Sequence, residues 1–360
     1  MTTLELLQQI CQKRIMILDG AFGTMIQARG LGEADFRGAR LADHPCPVCG
    51  NNDVLNLTKP QEVSAIHNAY LSAGADIIKT NTFSSTTVAQ TDYQTQDLAY
   101  ELNRQGAILA RQCADMMTAK TPDRPRFVAG ALGPTNKTLS IGPDVENPGF
   151  RAITFDELSA SYRIAAQGLI DGGADILIIE TIFDTLNAKA AIYALLSLFE
   201  EKGMDIPIMI SGTITDASGR MLSGQTIEAF LHAIEHVHPF SVGFNCALGA
   251  TDLIRHVESL APISPYLLSV HPNAGLPDEM GRYRDTPQSM AKILGDCAER
   301  GFLNIVGGCC GTTPEHILAI AEAVRLAAPR TPAPKHRATM LCGLELLSIG
   351  PDSLFVNIGE

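Results

Sequence analysis

Short apolar runs alternate with amphipathic segments along most of the chain. The runs are mostly continuous in apolar residues, as expected for strands that are covered on both faces of a parallel sheet. The intervening segments, such as residues 59–74 and 155–173, repeat their apolar positions with the spacing of a helix that buries one face. We predict one strand in each of eight runs: residues 14–20, 75–83, 126–134, 174–181, 206–213, 240–247, 266–273 and 303–311.

Eight strands that alternate with helices predict a (β/α)8 TIM barrel of the α/β class, with a doubly wound open sheet as the alternative. Two helix-to-strand units are nearly duplicated and end in AGADIIKTNTF and GGADILIIETIF, which indicates a repeated unit. Polar residues and cysteines fall at the carboxyl ends of the runs. In a barrel these ends converge on the face where the active sites of this fold lie. The residues concerned are Asp19, Asn81, Glu180, Thr213, Asn245, Cys246, His271, Asn273, Cys309 and Cys310.

The composition changes after the last amphipathic segment, where the chain reads PRTPAPKHRA. A Pro-rich and basic stretch of this kind is typical of a linker. We therefore predict one barrel domain over residues 1–325 and a linker over 326–339. Residues 340–360 are interpreted as the beginning of a following domain that the chain does not complete.

The overall composition excludes several classes of protein. With 46% hydrophobic and 18% charged residues, the chain is typical of a packed globular protein. A net charge of −12 without a basic stripe argues against nucleic acid as a partner. The first residues do not resemble a signal peptide, and no apolar stretch reaches the ~18 residues of a membrane span. We therefore expect a cytoplasmic location, where nine cysteines indicate metal binding or catalysis rather than disulfides.

Three cysteines have the positions required for a metal site. Cys246 ends the sixth run, whereas Cys309 and Cys310 end the eighth. Catalytic zinc sites commonly use three protein ligands and leave the fourth position open. Adjacent cysteines on a regular strand would point to opposite faces, so the backbone must leave β geometry there, which the flanking glycines permit. The alternative is that these cysteines are small buried hydrophobes.

Four other features have both a functional and a structural interpretation. The segment CPVCG at 46–50 resembles a zinc knuckle but lacks a second pair of ligands, so we predict an exposed loop. The segment DGAFGT at 19–24 suits N–H donation to an anion, or is an ordinary glycine turn. Glu180 ends an apolar run and needs either a cationic ligand or a structural Lys or Arg as its partner. His271 is either a ligand or acid–base group, or a structural histidine.

These residues resemble the homocysteine methyltransferases and, within them, the homocysteine-binding amino-terminal module of cobalamin-dependent methionine synthases. The similarity extends over essentially the whole chain. The lone cysteine after Asn, together with the later Gly-Gly-Cys-Cys-Gly, is the zinc signature of this family. The other matching segments include ILDGAFGTMIQ, AGALGPTNKTLSI, IIETIFDTLNAKAA, MISGTITDASGRMLSGQT and HPNAGLP.

The resemblance implies a TIM barrel with Zn²⁺ bound by Cys246, Cys309 and Cys310, and with Asn245 in the fourth position before substrate arrives. It also implies that homocysteine is held by backbone N–H groups at its carboxylate and by two acids at its ammonium group. The N–H groups are those around Gly20, Ala21, Phe22 and Gly23, and the acids are Asp19 and Glu180.

The activity implied by the resemblance is transfer of a methyl group from methylcobalamin to homocysteine, giving methionine. The implied partners are the cobalamin-binding and folate-binding domains of a longer enzyme, because residues 343–360 resemble the beginning of the folate-binding barrel. One alternative is a related enzyme that takes its methyl group from betaine or S-methylmethionine. Another is a non-catalytic module that binds zinc or thiols.

Overall fold

Eight parallel strands form one closed sheet in the computed structural model, which describes residues 2–215, 218–335, 337–357 and 359. Neighbouring strands pair in the order β1-β8-β7-β6-β5-β4-β3-β2, and a parallel bridge between Leu18 and Ile77 joins the first strand to the second. The predicted barrel is therefore confirmed, and each predicted run contains a strand. The strands are β1 Met16–Ile17, β2 Ile77–Lys79, β3 Phe127–Leu132, β4 Ile176–Ile182, β5 Ile208–Gly212, β6 Ser241–Gly249, β7 Leu267–Asn273 and β8 Ile305–Val306.

Helices surround the sheet and follow its strands. The outer helices are α5 Pro60–Ser72, α7 Ala99–Lys120, α8 Phe155–Asp171, α9 Thr185–Lys202, α10 Ile227–Ile234, α11 Ala250–Leu260, α12 Pro287–Glu299 and α13 Pro314–Val324. Helix α1, Thr3–Lys13, precedes the first strand. The loops contain the short helices α2 Phe22–Gln27, α3 Glu33–Arg37, α4 Leu55–Thr58 and α6 Thr87–Gln90.

Local sequence explains where these helices begin. Thr154 caps α8 by accepting the N–H of Glu157, while the Glu157 carboxylate accepts the N–H of Thr154. This reciprocal arrangement satisfies two backbone donors that have no partner within the helix. Helices α5, α12 and α13 begin with proline, whose fixed φ suits the first turn of a helix.

The barrel has two apolar layers. The larger lies between the sheet and the outer helices, and the smaller fills the inside of the barrel with residues such as Met16, Ile77 and Ile305. Helix α1 contributes Leu7 and Cys11 to this inner layer, and both side chains are buried. Helix α1 therefore closes the amino-terminal end of the barrel, opposite the strand ends that carry the polar residues.

A hairpin follows the barrel and packs on its side. Its strands are β9 Thr339–Cys342 and β10 Leu346–Ile349. The N–H of Thr226 donates to the Leu344 carbonyl at 2.9 Å, and Arg220 forms an ion pair with Glu345 at 2.6 Å. The assignment of residues 340–360 to a following domain stays a prediction.

Part of the predicted linker is packed against the barrel. Arg330 is buried, and its guanidinium donates to the carbonyls of Ala261, Ser264 and Tyr266. The prolines around Arg330 predict a linker that makes no contact with the barrel. The three carbonyls nevertheless bind its guanidinium, which composition alone does not indicate.

Among the residues that the structure describes, no helix has both the length and the apolar character needed to cross a membrane.

Leu7→Ala tests whether α1 stabilises the barrel by closing it. Because Leu7 is fully buried in the inner layer, we expect the free energy of unfolding to fall by about 2–5 kcal/mol. Urea unfolding measures this change. The exposed Gln9 on the same helix is the control, and Gln9→Ala should change the free energy by less than about 0.5 kcal/mol. Equal effects of the two substitutions would contradict the assigned role of α1.

Candidate metal centre and substrate cavity

Cys246 lies where β6 departs from regular strand geometry. The register between β6 and β7 shifts between the pair Asn245–His271 and the pair Gly249–Asn273. Within this bulge Cys246 has φ 60° and Ala247 has φ 55°. Residues other than glycine rarely adopt this left-handed conformation, which costs roughly 1–2 kcal/mol per residue. Such strain is concentrated at functional sites, and here it accompanies a cysteine that lines a cavity.

Cys309 and Cys310 lie in a turn just beyond β8. The Cys309 N–H donates to the Pro272 carbonyl at 2.8 Å, and the Thr312 N–H donates to the Cys309 carbonyl at 3.1 Å. Gly311 follows with φ 80°, a conformation that glycine adopts without strain. The prediction that the backbone leaves β geometry at the paired cysteines is therefore confirmed, and both residues line the same cavity.

The three predicted cysteines converge. Cys246 Sγ lies 3.8 Å from Cys310 Sγ, and the sulfur atoms of Cys246, Cys309 and Cys310 all lie within 4.8 Å of one another. A disulfide would need about 2.05 Å. Zinc–sulfur bonds of about 2.3 Å at tetrahedral angles place sulfur atoms about 3.8 Å apart, so the spacing fits a shared ion. Within the described ranges no other group of three such side chains could hold a metal.

Hydrogen bonds within the cluster favour one thiolate. Donation from the thiols of Cys246 and Cys309, with a further contribution from the Tyr283 hydroxyl, lowers the pKa of Cys310 to about 3. The same contacts raise the pKa of Cys246, which retains its proton. No sequence pattern indicates a role for Tyr283, which lies in an irregular loop. Its ring packs against Gly311, where a Cβ atom would lie only 2.2 Å from it.

Asn245 is buried next to the cluster. Its Oδ1 accepts the N–H of Thr181 at 3.0 Å and the Ser211 hydroxyl at 2.7 Å. Its Nδ2 donates to the Thr181 hydroxyl at 2.8 Å and faces Cys309 Sγ at 3.8 Å. Asn245 thus presents a donor to the sulfur while its oxygen is occupied twice. The predicted role of Asn245 as a fourth metal ligand stays a prediction.

The two predicted acids share a lysine that the sequence analysis did not single out. Lys79 Nζ lies 2.9 Å from Glu180 Oε2, and the Lys79 N–H donates to Asp19 Oδ2 at 2.8 Å. The structural alternative for Glu180, a lysine partner, is therefore confirmed. Burial alone would lower the pKa of Lys79, but the carboxylates of Glu180 and Asp19 outweigh it and raise the pKa.

Burial raises the pKa of the two acids, Asp19 and Glu180, whereas it acts to lower the pKa of Lys79. It raises the pKa of Asp19 to about 7, even though the Lys79 ammonium and N–H oppose the change. It also raises the pKa of Glu180 against the same ammonium. Asp19 Oδ1 has no hydrogen-bond partner and is the only buried carboxylate oxygen in this condition among the described residues. The acid at the end of β1 therefore has one oxygen available for a ligand.

These groups surround one cavity of about 280 Å³. Its wall contains Asp19, the turn from Gly20 to Gly23, Glu180 and the three cysteines of the cluster. The Ala21 N–H already donates to the Thr312 hydroxyl at 3.1 Å. Helix α2 begins at Phe22, and the first N–H groups of a helix have no partner within it. Binding of a carboxylate by this turn stays a prediction.

Another part of the wall comes from the long segment after β1. Residues 50–53 line the cavity together with Tyr93, although nothing in their pattern predicts this. Asp53 is buried and accepts hydrogen bonds from the Ser84 N–H and the Ser85 hydroxyl, both at 2.8 Å. Burial raises the pKa of Asp53 to about 6, and those hydrogen bonds oppose the change.

The CPVCG segment lies directly before these residues. Cys49 is exposed and Cys46 is half-buried. The Glu33 carboxylate accepts the N–H groups of Val48 and Cys49, which fixes the conformation of the loop. Neither cysteine belongs to a group of three ligands in the described part of the chain. These contacts agree with the prediction of a loop.

His271 lies on β7 and is fully buried. Neither ring nitrogen has a hydrogen-bond partner within the described chain. Burial lowers the pKa of His271 to about 3, so the ring is neutral. The hydrogen bonds expected of a structural histidine are absent there, and no cation is formed for acid–base work near neutral pH.

Comparison with known sequences shows the family. The sequence profile of the homocysteine S-methyltransferases matches residues 16–324, which extend from β1 to the end of α13. The chain belongs to the homocysteine S-methyltransferase family. The resemblance drawn from the sequence motifs is confirmed, and the protein is a methyltransferase of this family.

Solved structures agree with the fold of this homocysteine S-methyltransferase family member. The oxidized form of the homocysteine methyltransferase MmuM from Escherichia coli is 21% identical with a TM-score of 0.68, covering 89% of this chain and 99% of that one. The metallated form of the same enzyme is 23% identical with a TM-score of 0.65 and has the same coverage. At these identities the similarity shows a shared barrel.

Asp53→Asn tests the raised pKa at the cavity wall. A raised pKa in the folded state stabilises the protein at low pH, and this stability is lost as pH rises through that pKa. Relative to the variant, the wild type should lose free energy of unfolding between about pH 4 and pH 6. The loss should be of the order of 3 kcal/mol, at about 1.36 kcal/mol per pKa unit.

Urea unfolding at a series of pH values, without ligand, measures the difference. The exposed Asp123 is the control, because Asp123→Asn also removes one carboxylate. A free-energy difference between wild type and Asp53→Asn that is constant across this pH range would contradict the burial argument.

Proposed function

We propose that this protein binds homocysteine through a zinc ion held by Cys246, Cys309 and Cys310, and methylates its sulfur to give methionine. The observation that carries the proposal is the convergence of three thiols, from two distant segments, at one wall of a small cavity. The methyl donor that we propose is methylcobalamin, presented by another domain.

The cysteine cluster has the chemistry that zinc requires. Thiolates are the preferred ligands of Zn²⁺, and three protein ligands leave one position for a substrate. The distance of 3.8 Å between Cys246 Sγ and Cys310 Sγ suits a shared tetrahedral ion. Bound zinc would keep the homocysteine sulfur deprotonated, and the thiolate is the reactive form.

The cavity suits a small amino acid. Its volume of about 280 Å³ is at the small end of ligand sites, which span roughly 300–1,000 Å³. The unpartnered Asp19 Oδ1 suits an ammonium group, and the first N–H groups of helix α2, which have no acceptor within the helix, suit a carboxylate. Homocysteine carries both charged groups at one end and a thiol at the other, and one cavity wall provides Asp19, this turn and the three cysteines.

The surrounding residues control charge and water. Three thiolates around a divalent ion leave one net negative charge, which keeps electron density on an incoming sulfur. The Asn245 side-chain amide donates toward Cys309 Sγ. Hydrogen bonds from Thr181 and Ser211 fix the orientation of this amide. Methylcobalamin would supply the methyl group: the substrate sulfur would gain a bond to the methyl carbon, and the electron pair of the broken carbon–cobalt bond would stay with the donor. A thiolate needs no general base at this step.

The choice of donor rests on the resemblance of residues 343–360 to the beginning of the folate-binding barrel of cobalamin-dependent methionine synthases. Betaine and S-methylmethionine are the alternative donors, since they would use the same thiol site. A cytoplasmic location belongs to the same proposal.

Cys309→Ala tests the metal centre. We expect wild-type protein to hold about one zinc ion per chain and the variant to hold at least about tenfold less, because two thiols leave an incomplete ligand set. Homocysteine affinity should fall with the metal. Elemental analysis measures zinc with and without homocysteine, and calorimetry measures binding.

Cys297→Ala is the matched control, because Cys297 is buried on α12 and stands outside the cluster. This variant should retain zinc and homocysteine binding. Full metal content in Cys309→Ala, together with undiminished homocysteine binding, would refute the proposed site.

Supplying three donors side by side tests the methyl source. With zinc and homocysteine present, we expect methionine to form with methylcobalamin and at least about tenfold more slowly with betaine or S-methylmethionine, since only the first matches the proposal. Chromatography of methionine measures the rate. Faster methionine formation with betaine or S-methylmethionine would support the thiol site but contradict methylcobalamin as the donor. No turnover with any donor would favour the non-catalytic module.

A further inference from the structure

A cation of the protein is already paired with one of the two acids that the resemblance assigns to the ammonium group of the substrate. Lys79 lies at the end of β2, and its Nζ atom is 2.9 Å from Glu180 Oε2. Both side chains are almost fully enclosed, with exposed fractions of 12% and 4%. A buried ion pair of this kind resists separation, because withdrawal of either partner leaves an uncompensated charge in a low-dielectric site.

The second acid has a different set of partners. Asp19 Oδ2 accepts the Lys79 N–H at 2.8 Å, whereas Asp19 Oδ1 is buried and has no partner. An unpaired carboxylate oxygen is costly to bury and needs a donor, which a ligand can supply. The ammonium of Lys79 is therefore assigned to Glu180, and the free acceptor belongs to Asp19.

We propose that Lys79 determines how the cavity recognises an amino group: it holds Glu180, so that Asp19 alone receives the ammonium of the substrate. This inference rests on the proposed function, since it concerns the same thiol-binding cavity. The inference gives Asp19 and Glu180 different roles, whereas the resemblance implies that both bind the ammonium group. Glu180 becomes the internal partner of a lysine, and Asp19 becomes the contact that distinguishes an amino acid from a simple thiol acid.

The division has a consequence for affinity. With Lys79 in place, loss of the amino group costs the ligand only its contact with Asp19. Without Lys79, the ligand ammonium can pair with both carboxylates, so the amino group should contribute more to affinity. Each charge-assisted contact contributes about 1.5–3 kcal/mol, which is at least about tenfold in affinity.

Lys79→Met tests this directly. Calorimetry on zinc-loaded protein would measure the dissociation constants of homocysteine and of its desamino analogue, 4-sulfanylbutanoate. The informative quantity is the ratio of the analogue's constant to that of homocysteine. We expect Lys79→Met to raise this ratio by about tenfold over wild type. A general loss of packing would weaken both ligands equally and leave the ratio unchanged.

The matched control is the double variant Lys79→Met with Glu180→Gln. It removes the same lysine but leaves no carboxylate at position 180 for the ligand, so the ratio should return to within about twofold of wild type. The double variant also avoids an unpaired buried carboxylate, which keeps the comparison informative if Lys79→Met is unstable. In that case a ratio well above the wild-type value in the double variant would contradict the inference.

The outcomes separate this inference from the proposed function. A ratio in Lys79→Met that equals or falls below that of wild type would overturn the role of Lys79, even if both ligands bind. A raised ratio that persists in the double variant would also overturn it, because the effect would then not pass through Glu180. Failure of wild-type protein to bind homocysteine at all would instead count against the proposed function.

Discussion

The left-handed backbone at Cys246 and Ala247 is the constraint on which the thiol cluster depends. A regular strand would continue β6 in its pleat, but these two residues leave it and place a thiol beside Cys310. Such a conformation persists only where the surroundings determine it more strongly than its local cost. Here β6 pairs with both neighbouring strands, and the Thr213 hydroxyl donates to the Asn245 carbonyl just before the bend. The barrel therefore stabilises a geometry that the local sequence disfavours.

Charge balance is the second determinant of the site. The cavity collects three carboxylates, of Asp19, Asp53 and Glu180, and three thiols, and Lys79 provides the ammonium beside Asp19 and Glu180. Burial disfavours every charge in this cavity, so each anion depends on a partner that is held in place. The lysine and the hydrogen bonds of Asn245 are such partners. Because carboxylates add negative charge beside the thiols, this site suits a divalent cation better than three thiols alone would.

The sequence predicts the eight strands and the convergence of the cysteines because both leave direct patterns. Continuous apolar runs mark buried strands, and glycines beside Cys309 mark a turn. Lys79 leaves no such pattern, since a lysine in an apolar run does not reveal which acid it meets across the sheet. The left-handed bend at Cys246 and Ala247 also leaves no pattern in the sequence, because neither residue is glycine. The buried Arg330 shows the same limit, since only the closed barrel supplies its carbonyl partners.

Closure of the barrel by α1 has a consequence for how reactants reach the sulfur atoms. The inner layer, which includes Leu7 and Met16, fills the passage from the amino-terminal end, so in the described part of the chain the wall of thiols opens toward the carboxyl ends of the strands. Under the proposed function, an amino acid and a bulky methyl carrier would share this one opening. A large carrier at that opening would cover the amino acid beneath it. On that proposal, the small reactant would enter before the carrier and would leave only after the carrier had withdrawn.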